Sequence, residues 1–356
     1  MASDSVARSN LEKRRNESGA MGKKISASRV TADDVARAAG VSRSVVSRTF
    51  TKGASVSAKR RKLVLEAAEK LGYEPNIAAR VLAGKASNVV GILTGPLLNP
   101  FLADLLDKLS DGLREAGFLP TLFKVDTASD AKSILPLIAQ YHMVSTIVMG
   151  ISPSAQISKF FSGQSQMPII LNLGVLRDVE AANISTDHFK GGMLAAQALL
   201  DGGARNPAVV TRQIEAGIYE ERAAGFRYVL DQAGVQCTSL QVTEGSYQAG
   251  HEAMLRLSKS EKHPDAIFFG NDVMALGGLD ALRIDLGLSV PGDVAVVGYD
   301  DIPSAALGAY RISTIRQPVR KLASMAVAAI VDFENSGAAD LTTSMIAPAY
   351  VPRDTI

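Results

Sequence analysis

The sequence predicts an α/β protein: an N-terminal all-α helix-turn-helix headpiece, then a two-lobed domain built on parallel sheets. Three observations predict it. Two helical segments between Thr31 and Phe50 are separated by a turn of about two residues. After Asn88, strand-length apolar runs alternate with amphipathic stretches. That alternation continues for too long to form one compact sheet unit.

Residues 1–28 are rich in Ser, Arg, Lys and Glu, include Lys13-Arg14-Arg15 and Lys23-Lys24, and show no apolar periodicity. They predict a mobile basic tail, read either as a source of nonspecific phosphate attraction or as an overlong start. The headpiece occupies residues 29–75. Thr31 reads as an N-cap with Asp34 three residues on, and Val35, Ala36 and Ala39 form an apolar stripe that stops at Gly40. Ser42 caps a second segment running to Phe50. Helices joined by so tight a turn must cross steeply. Ser57 caps a third, whose Leu63, Val64, Ala67 and Leu71 fall on one face before Gly72. Val35, Val46, Leu63 and Leu71 are assigned to a small core. Pro75 and Asn76 then break the chain ahead of a short helical segment, Ile77 to Ala83, which with Gly84 and the polar Lys85-Ala86-Ser87 makes a linker over 76–87.

Beyond Asn88 the strand candidates are Val89 to Leu93, Thr146 to Met149, Ile169 to Leu171, Ala208 to Val210, Ala266 to Phe269 and Val294 to Val297. Ligands in such folds sit beyond the carboxyl ends of the strands. That rule directs attention to Asn99-Pro100-Phe101, Asp187, Asn271-Asp272 and Tyr299-Asp300.

A chain of 356 residues that is 47% apolar can bury a substantial core. Its one cysteine, Cys237, excludes an intrachain disulfide and reads as a buried, reduced thiol in a reducing compartment. No stretch approaches the roughly 20 apolar residues of a spanning helix, and charged residues stand where a signal peptide would be apolar. A soluble, unexported, cytoplasmic chain is expected. The net charge of +2 conceals an asymmetry: residues 1–87 hold 18 Lys+Arg against 8 Asp+Glu, and residues 88–356 hold 20 against 28. A basic head on an acidic body fits nucleic-acid binding by the head, and equally a merely solvated face.

Val30-Thr31-Ala32-Asp33-Asp34-Val35-Ala36 through Gly40-Val41-Ser42-Arg43 to Arg48, then Val56 to Lys59 and Leu71 to Asn76, closely resemble the headpiece of lactose/galactose repressor (LacI/GalR) family regulators. Ala79 to Gly84 resembles that family's hinge helix. Asn99 to Phe101, Arg222 to Phe226, Gly270 to Gly277, Val297 to Asp301 and Thr314 to Gln317 resemble its effector-domain landmarks, in order, so that the matches run from about residue 29 to 350. The resemblance implies a periplasmic-binding-protein-like effector domain. Its N-lobe would comprise 88–187 with about 318–344, and its C-lobe 188–317 with about 345–356. It implies a DNA-binding transcription regulator, a repressor, bound as a homodimer to a palindromic operator and controlled by a small-molecule effector, a sugar or sugar derivative.

In a helix-turn-helix the second helix lies in the major groove and its N-terminal side chains reach base edges. Here these are Arg43, Ser44 and Ser47, with Arg48 one turn further on. Arginine bonds bidentately to guanine O6 and N7, worth roughly 1 to 3 kcal/mol of discrimination, so Arg43 and Arg48 are the candidates for base readout and Ser44 assists. A phosphate contact or surface ion pair is the other reading of Arg48. Thr31 and Ser42 combine capping with phosphate hydrogen bonds from adjoining amides, and Asn76 closes the matched headpiece. By resemblance, Leu82 is the hinge leucine that wedges into the minor groove and bends DNA; simple packing against the partner hinge is the alternative.

A sugar needs charged or amide groups for its hydroxyls and an apolar or aromatic surface for its C–H face. The resemblance carries the polar roles to Arg222, Asn271 and Asp300, then Asp187 and Gln317, and the stacking roles to Phe101 and Tyr247. Asp187 also reads as the N-cap of a helix beginning near Phe189. Asn99 and Pro100 read also as loop-shaping residues, and Asp272 and Asp301 as structural groups. Two stretches depart from the family pattern: Gly203-Ala204-Arg205-Asn206-Pro207, and Thr211-Arg212-Gln213-Ile214. Arg212, near the pocket mouth, either favours an anionic ligand or is only solvated. Effector binding is expected to close or rotate the lobes and so shift the hinge spacing in a dimer.

Other function classes fit less well. The sequence has no Gly-x-Ser-x-Gly, no Gly-x4-Gly-Lys-Ser/Thr and no Gly-x-Gly-x-x-Gly, and His142, His188, His251 and His263 lack metal-like spacing. Asp300 and Asp301 would point apart on a strand, a poor acid/base pair. No enzyme, cofactor, metal or membrane association is expected. A periplasmic solute-binding protein would need an export signal and no basic headpiece. A regulator answering to a protein rather than a small ligand is the third alternative.

Overall fold

The computed structural model describes residues 30–50, 54–73, 88–125, 133–136, 138, 143–151, 167–172, 181–213, 217–338 and 340–356. The chain divides into two compact units, Met1–Gly84 and Lys85–Ile356. The expected basic tail, and the hinge with Asn76 and Leu82, lie outside the described residues.

The first unit contains α1 (Ala32–Ala39), α2 (Arg43–Thr49) and α3 (Ala58–Leu71). Thr31 and Asp34 close a reciprocal capping box: the Asp34 amide donates to Thr31 Oγ1 and the Thr31 amide to Asp34 Oδ2. Gly40 ends α1 at φ +65, a left-handed cap that favours glycine. Ser42 and Ser57 stand at the N-cap positions of α2 and α3, yet neither side chain makes the capping bond expected from sequence. Ser42 Oγ instead lies 2.8 Å from Ser44 Oγ.

Val35, Val46 and Val64 are fully buried at the centre of this small core, with Ala36, Ala39, Ala67 and Ala68 around them. Leu63 and Leu71 do not join it, being 42% and 37% exposed. The reason is geometric. The short α1 and α2 cover only the stripe of α3 marked by Val64, Ala67 and Ala68; Leu63 sits about 100° round the helix from Val64, and Leu71 falls in the last turn.

The second unit holds two parallel sheets. Its first half runs β1 (Val89–Thr94), α4 (Pro100–Glu115), β2 (Leu119–Lys124), β3 (Ser145–Met149), β4 (Met167–Leu171) and β5 (Ala182–Thr186). The chain then crosses through α5 (His188–Asp201) to β6 (Pro207–Arg212), α6 (Ile218–Gln232), β7 (Thr238–Val242), α7 (Tyr247–Leu257), β8 (Ala266–Phe269), α8 (Asp272–Asp280), β9 (Ala295–Asp300) and β10 (Ser313–Arg316). It returns through α9 (Val319–Ser336) to β11 (Thr343–Ile346) and ends in β12 (Ala349–Val351).

The sheet orders are β11-β5-β4-β3-β1-β2 and β12-β10-β9-β8-β6-β7. All described pairings are parallel except that of β10 with β12. The return segment thus places α9 and β11 in the first lobe, with β11 ending at Ile346, two residues beyond the boundary expected from sequence. Strands β1, β3 and β5 are buried along their whole length, as helices on both faces require.

In the second lobe α5 and α6 touch backbone to backbone. A Cβ on Gly192 would lie 2.0 Å from the Arg222 carbonyl oxygen, and one on Gly225 1.9 Å from that of Phe189. These two glycines let the helices approach closely enough to set Arg222 deep in the lobe. Among the described residues no helix is long and apolar enough to cross a membrane, and no cluster of His, Cys, Asp and Glu is arranged to hold a metal.

Candidate effector cleft and nucleic-acid interface

The carboxyl ends of β1, β3, β4, β6, β7, β8, β9 and β10 converge on a cleft of about 530 Å³ between the lobes, the location such open α/β sheets provide for ligands. Six of the seven residues singled out from sequence line it: Phe101, Arg222, Tyr247, Asn271, Asp300 and Gln317. Asp187 does not. Its Oδ1 accepts from the Lys190 amide at 2.8 Å as the N-cap of α5, its other reading.

Asp300 is the hub. It ends β9 at φ +115 and is buried, accepting from Asn99 Nδ2 at 2.8 Å and Gln317 Nε2 at 2.6 Å. Gln317 Oε1 in turn accepts from Asn172 Nδ2 and Thr186 Oγ1. Asn99, Asn172 and Thr186 belong to the first lobe and Asp300 to the second, so this chain of hydrogen bonds ties the lobes together at the floor of the cleft. Burial raises the Asp300 pKa, and the neighbouring Arg222 charge opposes that shift.

Arg222 is only 2% exposed. Its Nε donates to His188 Nδ1 at 3.2 Å, its Nη1 to the Gly270 carbonyl, and Nη1 lies 3.7 Å from Asp300 Oδ1. The guanidinium lies over the Tyr299 ring, 3.6 Å from its centroid. Because arginine can only donate, His188 Nδ1 must accept, which assigns the imidazole proton to Nε2. Burial, reinforced by the Arg222 charge, holds the His188 pKa well below its ordinary value.

Asn271 uses its side chain internally. Its Oδ1 caps α8 by accepting from the Met274 amide, and its Nδ2 donates to Tyr219 Oη at 3.0 Å and to the Gly245 carbonyl. The consequence is a Tyr219 hydroxyl that accepts from Asn271 and whose own proton meets no acceptor among the described residues. Tyr247 presents its ring to the cleft while its hydroxyl donates to Asp280 Oδ2 at 2.7 Å. Phe101 lines the cleft from the start of α4 but is mostly part of the first-lobe core. Of the two neighbouring aspartates, Asp272 accepts from Thr314 Oγ1 and the Ile302 amide, and Asp301 pairs with Arg316 and Arg353.

Sequence reasoning missed Tyr219, His188, Asn172 and Glu244. Tyr219 carried a usable signal, since it stands three residues before Arg222 on one face of α6. Asn172 carried none: its role follows from φ +54 and from the Thr186 amide donating to its Oδ1.

In the first unit, Arg43, Ser44, Ser47 and Arg48 are all exposed, while Val46 and Thr49 on the opposite side of α2 are buried. The spacing i, i+1, i+4, i+5 puts the four on one helix face. Arg43 Nη1 lies 3.7 Å from Asp33 Oδ2 in a solvated pair, weak enough to exchange for another anion.

Residues 31–76 match the family model for bacterial regulatory proteins of the lacI family, and residues 196–356 that for a periplasmic binding protein-like domain. The chain belongs to the LacI/GalR family. Its relatives include HTH-type transcriptional repressor PurR of Proteus mirabilis, 27% identical over 92% of this chain and 96% of that protein. Catabolite control protein A of Priestia megaterium is 29% identical over 87% and 94%. The fold is that of the Lac repressor dimer bound to operator and the anti-inducer ONPF, with a TM-score of 0.82 and 24% identity over 92% of this chain and 99% of that one. This LacI/GalR member is accordingly a DNA-binding transcriptional regulator with an effector domain, and not an enzyme.

Proposed function

We propose that the regulator acts as a repressor: a homodimer that binds a palindromic operator through Arg43, Ser44, Ser47 and Arg48 and releases or tightens its grip when a sugar or sugar derivative occupies the cleft. The observation that carries the sugar reading is the two-sided lining of that cleft. Asp300, Arg222 and Gln317 provide charged and amide groups for hydroxyls, and Tyr219, Tyr247 and Phe101 provide ring surface for a C–H face. Arg222 itself is held in place through Nε and Nη1.

Dimerisation is supported by the two-fold symmetry that a palindromic site demands and by exposed apolar side chains on the second lobe, Ile284 at 76% and Leu307 at 57%. Thr31 and Ser42 contribute phosphate contacts, and Asn76 and the Leu82 wedge complete the interface by resemblance. Cytoplasmic residence follows from action on DNA.

Selection of bound duplexes from a random pool, followed by a sugar panel tested for its effect on that binding, tests the proposal. Enrichment of a two-fold symmetric sequence whose affinity a sugar alters supports it. A protein with no duplex preference, with or without sugars, overturns it.

A further inference from the structure

We propose that the effector is a sugar acid or sugar phosphate whose anionic group is held by Arg212 at the cleft mouth; this rests on the reading of the cleft as a site for a sugar derivative. Arg212 is the last residue of β6, at the carboxyl end of the strand that lies between β8 and the edge strand β7 in the second sheet, and it lines the cleft. Its Nε donates to the Thr243 carbonyl at 3.2 Å, which fixes the guanidinium without neutralising it.

No described carboxylate lies within ion-pair distance of Arg212, although Glu244 lines the same cleft. The contrast with Arg222 is direct. That residue is buried, satisfied on two nitrogens and set beside Asp300, whereas the terminal nitrogens of Arg212 meet no hydrogen-bond or ion-pair partner among the described residues. Planar guanidinium nitrogens match the oxygens of a carboxylate or phosphate, and such pairing is stronger than a neutral hydrogen bond.

The immediate surroundings are donors as well. The Tyr219 hydroxyl retains its proton, as derived above, and the Arg212 charge reaches it. Gly217, the N-cap of α6, lines the cleft and offers no capping side chain. Glu244, an acceptor, suits the hydroxyls of the same ligand. Among the described residues nothing neutralises the exposed Arg212 charge, and an acid supplies a counter-ion.

Calorimetric titration of the full-length protein with hexuronates, aldonates and hexose phosphates, against the neutral sugars of the same skeletons, tests this. We expect one acid to bind at least tenfold more tightly than its neutral parent, with the carboxylate and phosphate arms deciding which oxyanion is read. Arg212→Met, a change at an exposed position, should lower that affinity about tenfold or more, and Arg212→Lys by less. Neutral sugars binding as well as their acids, or Arg212→Met binding the acid at the wild-type affinity, overturns the assignment to Arg212 and leaves the sugar reading intact. Failure of both panels to bind removes both.

Discussion

Asn99 Nδ2 donates to Asp300 Oδ2 at 2.8 Å, a direct hydrogen bond from the first lobe to the second across the floor of the cleft. Asn99 also caps α4, its Oδ1 accepting from the Phe101 amide at 3.0 Å. Asn99→Asp keeps the cap and sets a second carboxylate against Asp300. A hydrogen bond to a charged group contributes about 1.5–3 kcal/mol, and its replacement by like-charge repulsion should open the lobes. The expected result is a larger radius of gyration by small-angle scattering in the effector-free protein; no change would show that this bond does not hold the lobes together.

Arg222→Met removes the donors of His188 Nδ1 and Gly270 and leaves Asp300 beside no cation. Breaking one partner of a buried pair costs about 3–5 kcal/mol, so a loss of that order is expected in urea denaturation. Combining it with Asp300→Asn should recover part of the loss, because the uncompensated charge is then gone. Strict additivity of the two changes would deny the coupling.

Acid sensitivity should come from His188. Its pKa in the folded protein lies well below 6.5, chiefly through burial, so the unfolded chain binds the extra proton as pH falls through 6.5. The contribution from this histidine is complete above that value and is lost below it, with a slope of up to about 1.4 kcal/mol per pH unit. Asp272 and Asp300, both raised by burial, act with the opposite sign from 3.8 upward. Denaturation midpoints for wild type and His188→Asn between pH 5.5 and 7.5 isolate the histidine, and the variant should show the shallower acid limb.

On the DNA side, Arg43→Ala and Arg48→Ala should each relax preference at one base position at a cost of about 1–3 kcal/mol. Thr31→Ala breaks the capping box with Asp34 and loses about 1 kcal/mol of helix stability, which should weaken binding to every sequence alike. Titration of the selected operator and its single-base variants at one salt concentration separates the two patterns. Uniform weakening by both arginine variants would assign these residues to phosphate.

The headpiece was legible in the sequence because its signals are local. A cap, a stripe at i, i+1, i+4 and a left-handed glycine lie within one short helix and its two ends, as at Thr31, Val35 and Gly40. The interior strands were legible for a similar reason: β1, β3 and β8, buried on both faces, read as continuous apolar or small runs. Strands β2 and β7 are half exposed at sheet edges, and β5 and β10 are built largely from Asn, Ser and Thr, so apolar-run reading passed over all four.

By itself the sequence determined the order of the three headpiece helices and of six of the strands, the basic face of α2 and most residue types that line the cleft. Only the tertiary structure decided what those residues do there. Asp187 turns to a helix amide, Asn271 spends its amide on Tyr219 and Gly245, and His188 and Asn172 enter through partners more than thirty residues and more than a hundred residues away respectively. Leu63 and Leu71 stay exposed for the same reason. Burial and hydrogen-bond partnership belong to the pair of surfaces that meet, and chain-distant surfaces leave no periodic trace in either segment.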